Sequence, residues 1–264
     1  ILLGAMTGAD PEDPASTAEH AHEDYTAFLD PAGLDGARIG VARSHFGYSE
    51  EADAIAEEAL EAMRQEGADL VDPAPIPHAD AYGDSEFEVL LYEFKHDLNA
   101  YLRGRDGELP ARSLEALIAF NEAHREREMP YFEQEIFEMA QEKGPLTDQA
   151  YEEALAKNRR LSRSEGIDAV MDEHDLDALV APTNHPAWPI DLINGDHHLG
   201  SASQPAAVSG YPHVTVPGGY SHGLPVGISF VGRAWSEPIL IRIAYAFEQA
   251  TEHRKEPTFR QTVG

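Results

Sequence analysis

Two periodicities alternate along the chain. Ala52, Ile55, Ala56, Ala59 and Met63 recur at helical spacing with carboxylates between them, and Gly67 supplies a stop, which predicts an amphipathic helix. On either side lie short runs suited to strands: Gly36 to Arg43, behind the Pro31-Ala32-Gly33 loop, and Asp69 to Asp72. Together they form a strand-helix-strand unit of the kind that builds a helix-covered sheet. Residues 79–173 read as a helical block with segments near 84–103, 113–125, 130–142 and 148–173. Its breaks fall at Gly104, Pro110, Pro130, Gly144-Pro145 and Gly166. Strands return at 176–181, 213–216 and 226–231. In the last of these, Val226, Ile228 and Phe230 alternate with Gly227, Ser229 and Val231. Ser236 is placed to cap a closing helix whose Leu240, Ile243, Ala244 and Phe247 share one face. The predicted fold class is α/β, a mixed β-sheet flanked by helices with a helical block inserted.

Charge narrows the partners. The 264 residues carry 48 Asp and Glu against 19 Lys and Arg, a formal net charge of −29. Such a surface repels nucleic acid. The carboxylates are spread along the helices, as at Glu57, Glu58 and Glu61, and only Lys95, Lys143, Lys157 and Lys255 are lysines. A carboxylate-rich, lysine-poor surface suits molar salt, where charges are screened within about 3 Å. A halophilic source is therefore expected, with an unusually acidic protein of ordinary salt as the alternative. No cysteine is present, which excludes disulfides and thiolate chemistry. No apolar run approaches the roughly 20 residues that cross a bilayer, so no membrane partner is expected.

Several segments carry a family resemblance. They are Gly8-Ala9-Asp10-Pro11-Glu12-Asp13-Pro14-Ala15-Ser16 near the start, Asp177-Ala178-Leu179-Val180-Ala181-Pro182-Thr183, and Val208 to Pro217 followed by Gly223-Leu224-Pro225-Val226-Gly227. Each string is weak alone, whereas their order and spacing are specific. To about Glu252 the chain resembles the C-terminal half of an amidase-signature hydrolase, leaning toward the peptide-amidase-like branch. The resemblance implies residues 1–264 as the C-terminal part of a single amidase domain, its fold incomplete because the N-terminal half is missing. It also implies cleavage of a carboxamide C–N bond by a Ser nucleophile, a bridging Ser and a neutral Lys. A Ser hydroxyl needs a base, and a Lys serves as one near neutral pH only when burial lowers its proton affinity. The Gly-Gly-Ser-Ser-Gly-Gly loop of that machinery is absent, so the catalytic groups are expected upstream of Ile1 and this chain alone is expected to be inactive.

Within the chain, the loop after the Asp177–Thr183 run is the expected substrate wall, because loop tips on a rigid sheet meet ligand. The resemblance places Thr183, Trp188 and Asp191 on it, with Trp188 between two prolines equally able to be a packing anchor. Gly200-Ser201-Ala202-Ser203 looks like a nucleophile loop but reads better as a tight turn beside the pocket. Lys95, within an apolar helical stretch, reads as an ion-pair or pocket-mouth residue and not as the base. Thirteen histidines are present, but neither His20 and His22 nor His197 and His198 shows metal-site spacing, so neither metal nor cofactor is expected. The expected partner is a small amide substrate; homo-oligomerisation stays open, and the expected location is cytoplasmic, with export left open. Two alternatives remain. One is an amidotransferase A-type subunit of the same superfamily, whose glutamine-binding Arg and Asp pattern is not located here. The other is a non-catalytic binding module that kept the fold.

Overall fold

The computed structural model describes residues 1–11, 13 and 16–259. Within the sequence run Gly8 to Ser16, Glu12, Pro14 and Ala15 therefore lie outside the described residues. In chain order the elements are α1 (Leu2–Met6), a 3₁₀ turn (Tyr25–Phe28), β1 (Arg38–Val41), a second 3₁₀ turn (Arg43–His45), α2 (Glu50–Gln65), β2 (Asp69–Val71), α3 (Gly83–Gly104), α4 (Leu114–Ala123), α5 (Arg125–Glu128), α6 (Glu135–Gln141) and α7 (Gln149–Arg159). A π-helical stretch (Arg160–Ile167) then leads to α8 (Asp168–His174), β3 (Ala178–Pro182), α9 (Gln204–Ser209), β4 (His213–Ser221), β5 (Leu224–Val231) and α10 (Glu237–Thr251).

The chain divides into two compact units. The first comprises Ile1–Ala79, Ser162–Asp191 and the segment from Gly195 onward. Its centre is a five-stranded sheet of order β2-β1-β3-β5-β4. β1 pairs in parallel with both β2 and β3, while β5 is antiparallel to β3 and β4. Alternation sorts the side chains. Ile39, Val41, Ala178, Val180, Ile228 and Phe230 face α2 and α10, where they meet Ala56, Leu60, Met63, Leu240, Ile243 and Phe247. Leu179, Ala181 and Val231 face the other way, toward Ile167, Val170 and Met171 around α8 and Ala206 of α9. Each fully buried side chain of this size contributes ~1.5–3 kcal/mol, so the two-sided core fixes the register of the strands. Gly40 is required by this packing, since a Cβ there would lie 2.5 Å from Leu176 Cδ1.

The second unit, Asp80–Leu161 with Leu192–Asn194, is helical. Val89 and Tyr92 of α3 pack on Tyr151 and Ala154 of α7, and Leu91 packs on Leu114 of α4 and Ala140 of α6. Both buried rings keep a polar outlet: Tyr151 Oη donates to Glu93 (2.8 Å) and Tyr92 Oη to Asp148 (3.3 Å).

Several boundaries differ from the sequence pattern for identifiable reasons. Ser236 precedes α10, but its hydroxyl donates to the Arg233 carbonyl (2.8 Å) and caps nothing. The second helical residue is Pro238, and the next N–H, that of Ile239, donates to the Ser236 carbonyl (3.0 Å). Pro217 and Gly218 do not end β4, because an irregularity between Pro217 and Gly219 absorbs them and pairing resumes to Ser221. The expected segment 130–142 is helical only from Glu135, and the run expected over 148–173 passes through the π stretch and leaves helical dihedrals at Gly166 (φ −117°, ψ −106°).

Candidate functional site

β2, β1, β3 and β4 run in one direction, so their carboxyl ends share one edge of the sheet, where α/β proteins collect ligand-binding groups. Three segments meet there. The turn after β1 carries Arg43 and His45. The Arg43 guanidinium donates through Nε (2.8 Å) and Nη2 (2.5 Å) to both carboxylate oxygens of Asp72, which follows β2, and also pairs with Glu57 of α2. Its hydrogen bond holds the Asp72 carboxyl below the usual range. Tyr48 Oη donates to the Pro182 carbonyl (3.2 Å), and burial raises its phenol well above the ordinary value. Gly200 lies so close to that ring that a Cβ would sit 2.8 Å from Tyr48 Cδ1.

The loop leaving β3 is pinned by its backbone. Thr183 N–H donates to the Gly227 carbonyl (2.8 Å), Ala202 N–H donates to the Thr183 carbonyl (3.1 Å), and Asn184 bridges to Ser201. Ser201 and Ala202 thus return against 183–184 through an isolated bridge. Burial lowers the proton affinity of His45, outweighing the opposite influence of the Ser201 backbone. A polar row crosses the sheet beside this loop. His213 Nε2 lies 2.5 Å from Ser229 Oγ, Ser229 Oγ donates to Thr183 Oγ1 (2.8 Å), and Thr183 Oγ1 lies 2.7 Å from Thr215 Oγ1. The row starts in burial, with Ser229 fully covered, and ends at exposed Thr215.

An amidase profile matches residues 1–241. The chain belongs to the amidase family. This amidase-family chain is 38% identical over 98% of its length to a probable amidase of Arabidopsis thaliana and covers 47% of that protein. It superposes on the native peptide amidase from Stenotrophomonas maltophilia with a TM-score of 0.86 at 44% identity, covering 97% of this chain and 52% of that one. An amidase family protein from Bacillus anthracis gives a TM-score of 0.78 at 30% identity, over 97% and 47%. The amidase-family chain thus spans about half the length of the relatives it matches, and the mixed sheet expected from its sequence has five strands.

Within the amidase-family chain, the three loop residues picked from sequence enter different local arrangements. Thr183 joins the hydroxyl row. Trp188 stacks on His185 (ring centroids 4.5 Å apart), stands edge-on to His198 (6.2 Å) and donates from Nε1 to Asp196 (3.3 Å). Asp191 opens a turn closed by the Gly195 N–H on its carbonyl (3.1 Å). Ser201 and Ser203 hydroxyls meet each other at 3.1 Å. Lys95 donates to the carbonyls of Gln141 (2.7 Å) and Lys143 (2.5 Å), and it lines a cavity of about 330 Å³ in the helical unit with Arg103 and Lys143. Among the described residues no three His, Asp or Glu side chains gather as a metal site, and no helix is long and apolar enough to cross a membrane. Sequence reasoning missed Tyr48, His45, His213, Thr215 and Ser229. The one signal for the last three was strand alternation, which puts Thr215 with His213 and Ser229 with Gly227, opposite the apolar positions.

Proposed function

We propose that residues 1–264 supply the sheet and one substrate-facing wall of an enzyme that hydrolyses a carboxamide C–N bond to a carboxylate plus amine or ammonia, with peptide amides as the favoured substrate class. The observation that carries this reading is the likeness to the Stenotrophomonas maltophilia peptide amidase across 97% of the chain. The carboxyl-edge groups fit the task, because Thr183 and Thr215 are fixed by the sheet and can hydrogen-bond an amide.

Attack on the carbonyl needs a hydroxyl beside a base. Ser201 and Ser203 have one another, and Lys95 is committed to two carbonyls. In keeping with this, the resemblance to amidase-signature enzymes assigns the attacking Ser and its Lys acceptor to polypeptide beyond these 264 residues. The test is ammonia release from a peptide amide. The chain alone should release none, and a polypeptide of the relatives' full length should release it at a rate that Ser201→Ala leaves within about twofold. Turnover by the chain alone that Ser201→Ala abolishes would overturn the assignment.

A second reading, amide transfer, draws on 29% identity over 97% of the chain to the A-type subunit of the glutamyl-tRNA(Gln) amidotransferase from Moorella thermoacetica. Preference of the full-length protein for free glutamine over peptide amides would favour it.

A further inference from the structure

We propose that His213 is a positioning residue that decides whether the hydroxyls at the carboxyl edge offer a hydrogen or a lone pair to an amide substrate; the substrate half of this inference rests on the amide-hydrolysis reading. The four groups come from three strands: His213 and Thr215 from β4, Ser229 from β5 and Thr183 from the end of β3. Each hydroxyl owns one hydrogen, so the direction of one bond dictates the next. When His213 carries a hydrogen on Nε2, it donates to Ser229, Ser229 donates to Thr183, Thr183 donates to Thr215, and the exposed Thr215 hydrogen points outward. When Nε2 is bare, Ser229 donates to it, Thr183 turns its hydrogen to Ser229, Thr215 turns its hydrogen to Thr183, and only lone pairs face out. An amide carbonyl binds the first state and an amide N–H the second.

Three features make this more than sheet glue. Ser229 is fully buried, so no bulk water interrupts the row. Gly227 leaves the space in which the two threonine hydroxyls meet, since a Cβ there would lie 2.6 Å from Thr215 Oγ1 and 2.7 Å from Thr183 Oγ1. The two arrangements contain the same number of bonds, so neither is favoured by bond count and the state of the ring selects between them. The groups presented to His213 by the neighbouring strand are Val231, its register partner, and Ser229, neither of them charged. Burial alone lowers its proton affinity, so the ring is neutral at pH 7 and protonation in acid enforces the outward-donor state.

The experiment labels histidine with ¹⁵N and reads the His213 tautomer and titration by NMR in the wild type, Thr215→Val and Ser229→Ala. Thr215 is exposed, so its replacement leaves the core untouched. Removing that last hydroxyl takes one bond from each arrangement but leaves the Thr183 hydrogen without an acceptor only in the first, so the tautomer ratio should shift toward bare Nε2 by about 3- to 10-fold. Ser229→Ala should shift the titration itself. Identical His213 signals in wild type and Thr215→Val, with circular dichroism unchanged, would overturn the coupling. In the full-length protein, Thr215→Val should raise KM for a peptide amide more than it lowers kcat, by a factor that varies across the His213 titration. A pH-independent KM ratio overturns the substrate role even where the NMR coupling is seen. Absence of hydrolysis by the wild type strikes instead at the amide reading, because the NMR readout needs no turnover.

Discussion

Lys95 Nζ donates to the backbone carbonyl of Gln141 at 2.7 Å, so an ammonium on α3 closes the C-terminus of α6. The Lys143 carbonyl just beyond takes a second hydrogen at 2.5 Å. A cation placed on carbonyls left over at a helix end is favoured by both hydrogen bonding and the helix dipole. Lys95→Met is therefore expected to destabilise the helical unit by about 1–2 kcal/mol, read as a lower urea midpoint, with peptide-amide hydrolysis by the full-length protein unchanged. A loss of hydrolysis at unaltered stability would instead make Lys95 a participant in the chemistry.

Gly227 sits where its own sheet leaves no room for a side chain. Gly227→Ala must push Thr183 and Thr215 apart, because the new methyl would meet both hydroxyls at under 3 Å. The expected cost is ~1–3 kcal/mol of overpacking, measured as a lower thermal midpoint. Thr183→Ala in the Gly227→Ala background should recover part of it by removing the hydroxyl that the new methyl would meet at 2.7 Å. A midpoint equal to wild type in Gly227→Ala would show that the hydroxyl pair is slack.

Much of the sheet was legible because one residue in two or one in 3.6 carries the message. Ala52, Ile55, Ala56, Ala59 and Met63 announced α2, and Val226, Ile228 and Phe230 announced β5 with its core face. What stayed hidden depends on tertiary contacts. Pro217-Gly218-Gly219 reads as punctuation, yet pairing with Gly227 and Val226 carries β4 through it. The cap expected from Ser236 is absent because its hydroxyl turns back to the Arg233 carbonyl. The candidate site was half-visible. Thr183 follows from its place after β3, whereas His213, Thr215 and Ser229 each read as an ordinary polar strand residue until the register sets them side by side.

Burial holds His45 and His213 below their ordinary value of 6.5. Their unfolded forms titrate at that ordinary value, so between the two values the unfolded chain binds more protons. Stability is accordingly complete above about pH 6.5 and is lost as pH falls toward the folded values. Urea midpoints are expected to drop between pH 7 and about 5, and the slope should flatten in His45→Gln with His213→Gln. A wild-type midpoint that stays level or rises on acidification would contradict this. Asp72, held down by Arg43, loses its contribution in a separate, more acidic window below 3.8.

Salt should act in the opposite sense to its usual effect on ion pairs. The half-exposed Arg43 pairs with Glu57 and Asp72 are worth only about 0–1 kcal/mol each and weaken with screening. Against them stands the self-repulsion of a net charge of −29, whose range shrinks from about 10 Å at 0.1 M to about 3 Å at 1 M salt. The repulsion is the larger effect, so the thermal midpoint is expected to climb with NaCl over that range. A midpoint that is flat or declining would remove the case for a high-salt source.

β1 is stitched to the start of β3 by reciprocal bonds: the Arg38 N–H donates to the Asp177 carboxylate and the Asp177 N–H donates to the Arg38 carbonyl, both at 2.8 Å, across a sequence separation of 139. During synthesis the first two strands and α2 leave the ribosome long before their central neighbour exists, and a complete bundle of helices is made in the interval. Closing so long a loop is entropically costly and slow. The nascent β1 edge thus spends that interval as an open template for pairing.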